Sequence, residues 1–152
     1  MTIQAGKGFL KDVFDAYQAT HGTWSVHLLA QANAAYTLSY DTVWHSSLDA
    51  SEATFKGYSS QDAGTPTITW DGTNHWVNID FTEVSFTYDH TGSGDDSLVV
   101  DGWAITNDQS PPIFVCGDVI ASPITFHLDG DNYTLTGHIK YFEDATGTPD
   151  PA

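Results

Sequence analysis

Trp24-Ser25-Val26-His27-Leu28-Leu29 is the point at which the chain changes its period. Trp24, Val26 and Leu28 alternate with Ser25 and His27, the pattern of a strand with one face against a core. The residues before it follow a different rule. From Gly8 to Thr20 the apolar positions Phe9, Leu10, Val13, Phe14 and Tyr17 form one helical stripe, with Lys11, Asp12, Asp15 and Gln18 opposite. His21-Gly22 supplies the stop. The polar side of this stripe is not basic, so a helix docked on its own domain is expected rather than a membrane-surface or calmodulin-type segment.

Downstream of Leu29 the strand period persists. Further strand-like runs are Tyr36 to Trp44, Thr67 to Trp70, His75 to Phe81, Val84 to Tyr88, Leu98 to Thr106, Ile113 to Ile120, Ile124 to Leu128 and Tyr133 to Phe142. Turn chemistry separates them at Asp71-Gly72, Gly92-Ser93-Gly94-Asp95-Asp96, Ser110-Pro111-Pro112 and Asp129-Gly130-Asp131-Asn132. Ser46 to Gly64 breaks the alternation and is expected as a long loop with one short helical turn. About eight short strands after a single helix predict an all-β, jelly-roll-like β-sandwich with one N-terminal amphipathic helix. The expected organisation is an arm over 1–7, one β-sandwich domain with its leading helix over 8–143, and a flexible tail over 144–152.

The charge balance narrows the partners. Four lysines and no arginine face twenty acids, seventeen of them aspartate, for a net charge of −16 in 152 residues. Nucleic acid, anionic membrane and phosphorylated ligands all require clustered positive charge, so none is expected as a partner. With 40% apolar residues the chain is too hydrophobic for a disordered acidic tail, and the acids belong on the surface of a folded body. Cys116 is the single cysteine, which excludes an intrachain disulfide; its run Ile113-Phe114-Val115-Cys116 predicts a buried, inert thiol. No apolar signal segment precedes the helix, and expression in a reducing cytosol is expected.

Candidate chemistry is sparse. Asp129, Asp131, Asp95 and Asp96 gather hard oxygens as calcium sites do, but without the spacing of a helix–loop–helix calcium site, and turns bonded to their own backbone are the favoured reading. His27, His127 and His138 lie on the polar phase of their strands and are expected to face solvent. No serine sits in a Gly-x-Ser-x-Gly elbow, and the many aspartates read as solvated turns rather than a glycosidase pair. No catalysis and no cofactor are expected. Trp24 and Trp103 read as core, the latter on one face with Val99 and Ile105. Trp76 is out of phase with Val77, Ile79 and Phe81, which marks it for a surface or an interface.

The order of blocks resembles small β-sandwich virion structural proteins of tailed bacteriophages. The blocks are the helix Phe9 to Tyr17, the strand Trp24 to Leu29, Ala53-Thr54-Phe55-Lys56-Gly57-Tyr58-Ser59, Val84 to Tyr88, Gly102-Trp103-Ala104-Ile105-Thr106 and the closing pair Ile124 to Phe126 and Tyr133 to Thr136. The resemblance implies a decoration or cement protein on the outer face of the capsid, assembled in the host cytoplasm. Its partners would be the major capsid protein or other virion proteins, and it would form a homo-oligomer. Thr2, Ile3, Gln4 and Lys7 of the arm, with Trp76, are the expected partner contacts. A tail-associated receptor-binding or carbohydrate-binding module is the alternative.

Overall fold

The structure, a computed structural model, describes residues 22–39, 44–71 and 76–142, together with 13, 16, 19, 20, 42 and 73, and gives the backbone alone for 45, 76 and 140–142. The arm (1–7), the tail (144–152) and most of the expected helix fall outside these residues. Of that helix, Val13, Ala16, Ala19 and Thr20 are helical, with the Thr20 hydroxyl donating to the Ala16 carbonyl at 3.2 Å. Val13, assigned to the apolar stripe, is 46% exposed.

Among the described residues the chain forms nine strands: β1 (Trp24–Leu29), β2 (Gln61–Gly64), β3 (Thr67–Asp71), β4 (Trp76–Asp80), β5 (Val84–Thr87), β6 (Leu98–Asn107), β7 (Phe114–Phe126), β8 (Asn132–Leu135) and β9 (His138–Phe142). They order as β2-β1-β6-β7, as β3-β4-β9 and as the pair β5-β8, every neighbour antiparallel. Between β4/β9 and β5/β8 the Phe81 N–H donates to the Gly137 carbonyl at 2.8 Å. The two smaller sheets are therefore one antiparallel ribbon, bent at Phe81–Glu83 and Thr136–Gly137. Tyr133 to Phe142, expected as a single strand, is divided at that bend.

One core joins the two layers. Trp24, Val26 and Leu28 from β1 meet Val77 and Ile79 from β4, Phe86 from β5, Val100 and Ile105 from β6 and Phe126 from β7. Complete burial of each such side chain is worth roughly 1.5–3 kcal/mol, which is what drives the sheets face to face. The expected all-β sandwich is the fold observed.

Two departures from simple alternation shape the surface. In β6 the pairing passes from Val100↔Ile124 to Gly102↔Val119, so that residues 120–123 stand opposite Asp101 alone. This bulge accommodates Pro123, which has no N–H for a ladder, and merges the two runs expected at 113–120 and 124–128 into β7. It also resets the face: Leu98 and Val100 point inward, Trp103 packs in part on the core, and Val99 is 43% exposed rather than sharing a face with Trp103 and Ile105.

The second departure overturns a strand. Of the run expected from Tyr36 to Trp44, the described residues 36–39, 42 and 44 lie in no strand; the chain turns after Ala30 and makes a π-helical turn at Trp44–Leu48 and a 3-10 turn at Asp49–Ser51. Trp44 and Leu48 pack with Leu29 and Ala104, flanked by Tyr36, Leu38 and Phe114, as a second small core on the outer face of the four-stranded sheet. Tyr36, Leu38, Trp44 and Leu48 serve docking onto a sheet, not membership of one.

Cys116 lies on β7, where the residue is partly exposed, yet desolvation pushes its thiol up to about 12. Little thiolate forms near neutrality, and the thiolate is the reactive species. At pH 8 we expect a thiol-labelling reagent to modify the folded chain roughly a thousandfold more slowly than the unfolded one, from the separation of the two pKa values. The same separation fixes a sign for stability. Because the folded value is the higher, the contribution is complete below the unfolded value of about 8.5 and is lost as pH rises toward the folded one. Denaturation midpoints measured from pH 8 to 11 should fall less steeply in Cys116→Ala than in the parent.

Candidate functional site

Two constellations of chemically capable side chains emerge, and they differ in access. The first is built on His27 of β1. Its Nδ1 lies 2.8 Å from Glu52 Oε1 and its Nε2 lies 2.9 Å from Thr106 Oγ1 on β6. The Tyr58 hydroxyl donates to the same Glu52 oxygen at 2.8 Å and accepts the Leu28 N–H at 3.1 Å. Burial, then the Glu52 charge, push the Tyr58 phenol far above its ordinary range, so it stays a donor. The Asn33 side-chain amide donates to the Glu52 carbonyl at 2.6 Å and so holds the backbone beneath the carboxylate.

Hydroxyl, imidazole and carboxylate in this order have the hydrogen-bond sequence of an activated nucleophile. Access is what this one lacks. Thr106 is 1% exposed and His27 8%, and the Trp44 ring covers the imidazole at a centroid distance of 4.0 Å. An electrophile has no approach to Oγ1, and the group works as an internal fastener between β1, β6 and the segment ending at Glu52. His27 was expected to face solvent. It does not, because the segment carrying Trp44 and Leu48 folds back over the polar phase of β1 and covers it.

The second constellation is open. It forms where β5 ends and β8 begins, from two turns far apart in sequence. Asp89, His90 and Asp129 each present a ligand-type atom, all within 4.8 Å of one another. His90 Nδ1 pairs with Asp129 Oδ2, and the His90 N–H donates to Asp129 Oδ1 at 2.9 Å. The Thr91 N–H and hydroxyl donate to Asp89 Oδ1 at 2.9 and 2.6 Å and hold that carboxyl below its usual range.

Of the four aspartates considered from sequence, only Asp129 joins this group. Asp131 closes its turn by accepting the His127 and Leu128 N–H groups, each at 2.8 Å on Oδ2, which likewise lowers its pKa. Asp95 accepts the Thr54 hydroxyl at 2.5 Å, and Asp96 pairs with Lys56. These belong to an interlock of the 54–58 and 89–96 segments, in which the Lys56 N–H meets the Asp95 carbonyl at 3.1 Å and the Asp95 N–H meets the Thr54 carbonyl at 2.7 Å. Sequence reasoning did not select Asp89 or His90, whose partner Asp129 lies 39 positions away from His90.

Of the expected partner contacts, Thr2, Ile3, Gln4 and Lys7 lie outside the described residues. Trp76 stands in register with Asp71 and Phe142 at the start of β4, its side chain outside them. Among the described residues the exposed large apolar side chains are Val13 and four others. Val99, Ile113, Val119 and Leu128, between 43% and 60% exposed, all fall on or beside the β6–β7 pair. An open groove of about 500 Å³ runs along the same strand between Leu38, Ser39 and Thr42 on one side and Phe114, Val115 and Asp118 on the other. The chain matches no family model, no curated protein and no solved structure.

Proposed function

We propose that this chain is a non-catalytic structural protein of a tailed-bacteriophage virion, seated on the outer face of the shell as a decoration or cement protein. The observation that carries the reading is that Val99, Ile113, Val119 and Leu128, all on or beside β6–β7, are exposed apolar side chains in a chain of net charge −16. Apolar side chains left in water on one strand pair suit a protein–protein contact. The sealed state of the His27 group and the order of sequence blocks support the same reading. Net charge of −16 keeps such a protein away from packaged nucleic acid, whose phosphates it would repel, and favours the solvent side of a shell.

The test is location. Gold-labelled antibody against the purified chain, applied to intact virions, should decorate the shell surface, and Val119→Asp chains should bind stripped particles at least tenfold more weakly than the parent. Labelling confined to the tail, with binding on a glycan array, would replace this reading by the receptor-binding alternative. Labelling of no particle would overturn it.

A further inference from the structure

We propose that Asp89, His90 and Asp129 form a binding site for one divalent transition-metal ion, of the zinc or cobalt type. The group is not a patch of acids. It combines an imidazole nitrogen with two carboxylates, the mixed donor set that suits zinc and its neighbours, whereas calcium and magnesium prefer oxygen alone. The three donors come from two turns, one following β5 and one preceding β8, and the sheet pairing of those strands brings them together.

Both carboxylates are also held from behind. Thr91 fixes one oxygen of Asp89, and the His90 N–H fixes one oxygen of Asp129, so the carboxylates are oriented before any ion arrives. Such outer contacts are what set ligand direction in metal sites. The turns are pinned as well: the Asp89 N–H donates to the Lys56 carbonyl at 3.1 Å, the Gly92 N–H to the Asp89 carbonyl at 2.9 Å, and the Tyr88 N–H to the Asp131 carbonyl at 2.9 Å. All three donors are exposed, so an ion reaches them from solvent without opening the fold. Three protein ligands leave at least one tetrahedral position for water or for a donor from a second molecule. Lys56, the nearby cation, is paired with Asp96 and does not neutralise the group. The site stands whether or not the chain belongs to a virion.

The test uses the full chain, metal-free, titrated with Zn²⁺ alone by calorimetry and with Co²⁺ alone by visible absorption and by NMR. One ion per chain is expected, with a Co²⁺ ligand-field band and paramagnetic broadening centred on residues 88–92 and 127–131. His90→Ala and Asp129→Asn should each weaken binding at least tenfold. Asp89→Asn, which keeps an oxygen for Thr91, should do the same with the fold intact by circular dichroism. His127→Ala, in the neighbouring turn, should leave affinity unchanged. Excess Ca²⁺ or Mg²⁺ should not displace the ion. Three results would overturn the proposal: no saturable Zn²⁺ binding, which would leave His90 and Asp129 as an exposed ion pair only; equal competition by Ca²⁺; or binding indifferent to all three substitutions.

Discussion

Phe55→Ala is expected to cost about 3–5 kcal/mol of stability, the range for deleting a buried aromatic side chain. Phe55 is 1% exposed, and its ring stacks on Phe126 of β7 at 4.1 Å and 3°. Tyr58 meets it edge-on at 5.2 Å and in turn lies over Phe86 at 5.9 Å. The substitution removes the ring from the middle of that series, and the backbone around it cannot collapse into the space. The 54–58 segment is fixed on its other side by the interlock with 89–96, where Gly57 takes φ +81° against Asp89 and Gly94 takes φ +125° beneath the Thr54 carbonyl. Domains of this size have about 5–15 kcal/mol in total, so the change consumes a large part of it. Urea unfolding followed by tryptophan fluorescence reads the loss directly; a midpoint within experimental error of the parent would refute the central role given to this ring.

The second large effect is expected at Gly137. A Cβ there would overlap the Phe81 carbonyl oxygen and press on the Phe81 ring. The obstacle is backbone against backbone, at a hydrogen bond that joins the two halves of the bent ribbon, so no rotamer change relieves it. Gly137→Ala should destabilise by about 3 kcal/mol, the upper part of the range for overpacking. Gly130→Ala makes a useful contrast, since nothing lies near its would-be Cβ and only its φ of +94° opposes substitution. Thermal melts of the two variants should rank Gly137→Ala clearly below Gly130→Ala. The reverse order would show that the ribbon can open at its bend without penalty.

The class of fold was legible because its signals are local. Trp24, Val26 and Leu28 alternate on a strand, and Asp71-Gly72 lies between two runs that do pair, Thr67 to Asp71 against Trp76 to Asp80. The parts that escaped depend on tertiary contact. β2 is Gln61-Asp62-Ala63-Gly64, an edge strand with only Ala63 buried, and so carries no hydrophobic pattern to notice. The run from Tyr36 to Trp44 has such a pattern, but Tyr36, Leu38 and Trp44 use it to cover a sheet. That covering also explains His27: alternation predicts exposure only when one face of a sheet meets water, and here a loop encloses both. Val99 failed for the opposite reason, a bulge that shifts the phase by one residue. In the open constellation Asp129 was visible as an acid in a turn. Its companions were not, because nothing in the primary structure says which turn will lie beside it.

The pairing of β1 with β6 has a consequence for the order in which the protein can be made. β1 is an interior strand of its sheet, yet its longest partner begins about 70 residues later, and at roughly 5–20 residues per second the ribosome needs several seconds to deliver it. Throughout that interval Trp24, Val26, Leu28 and Leu29 emerge as an apolar strand without their main neighbour. A nascent chain halted before Leu98 lacks the partner that closes the four-stranded sheet, so the core that β1 faces is completed only after β6 has emerged.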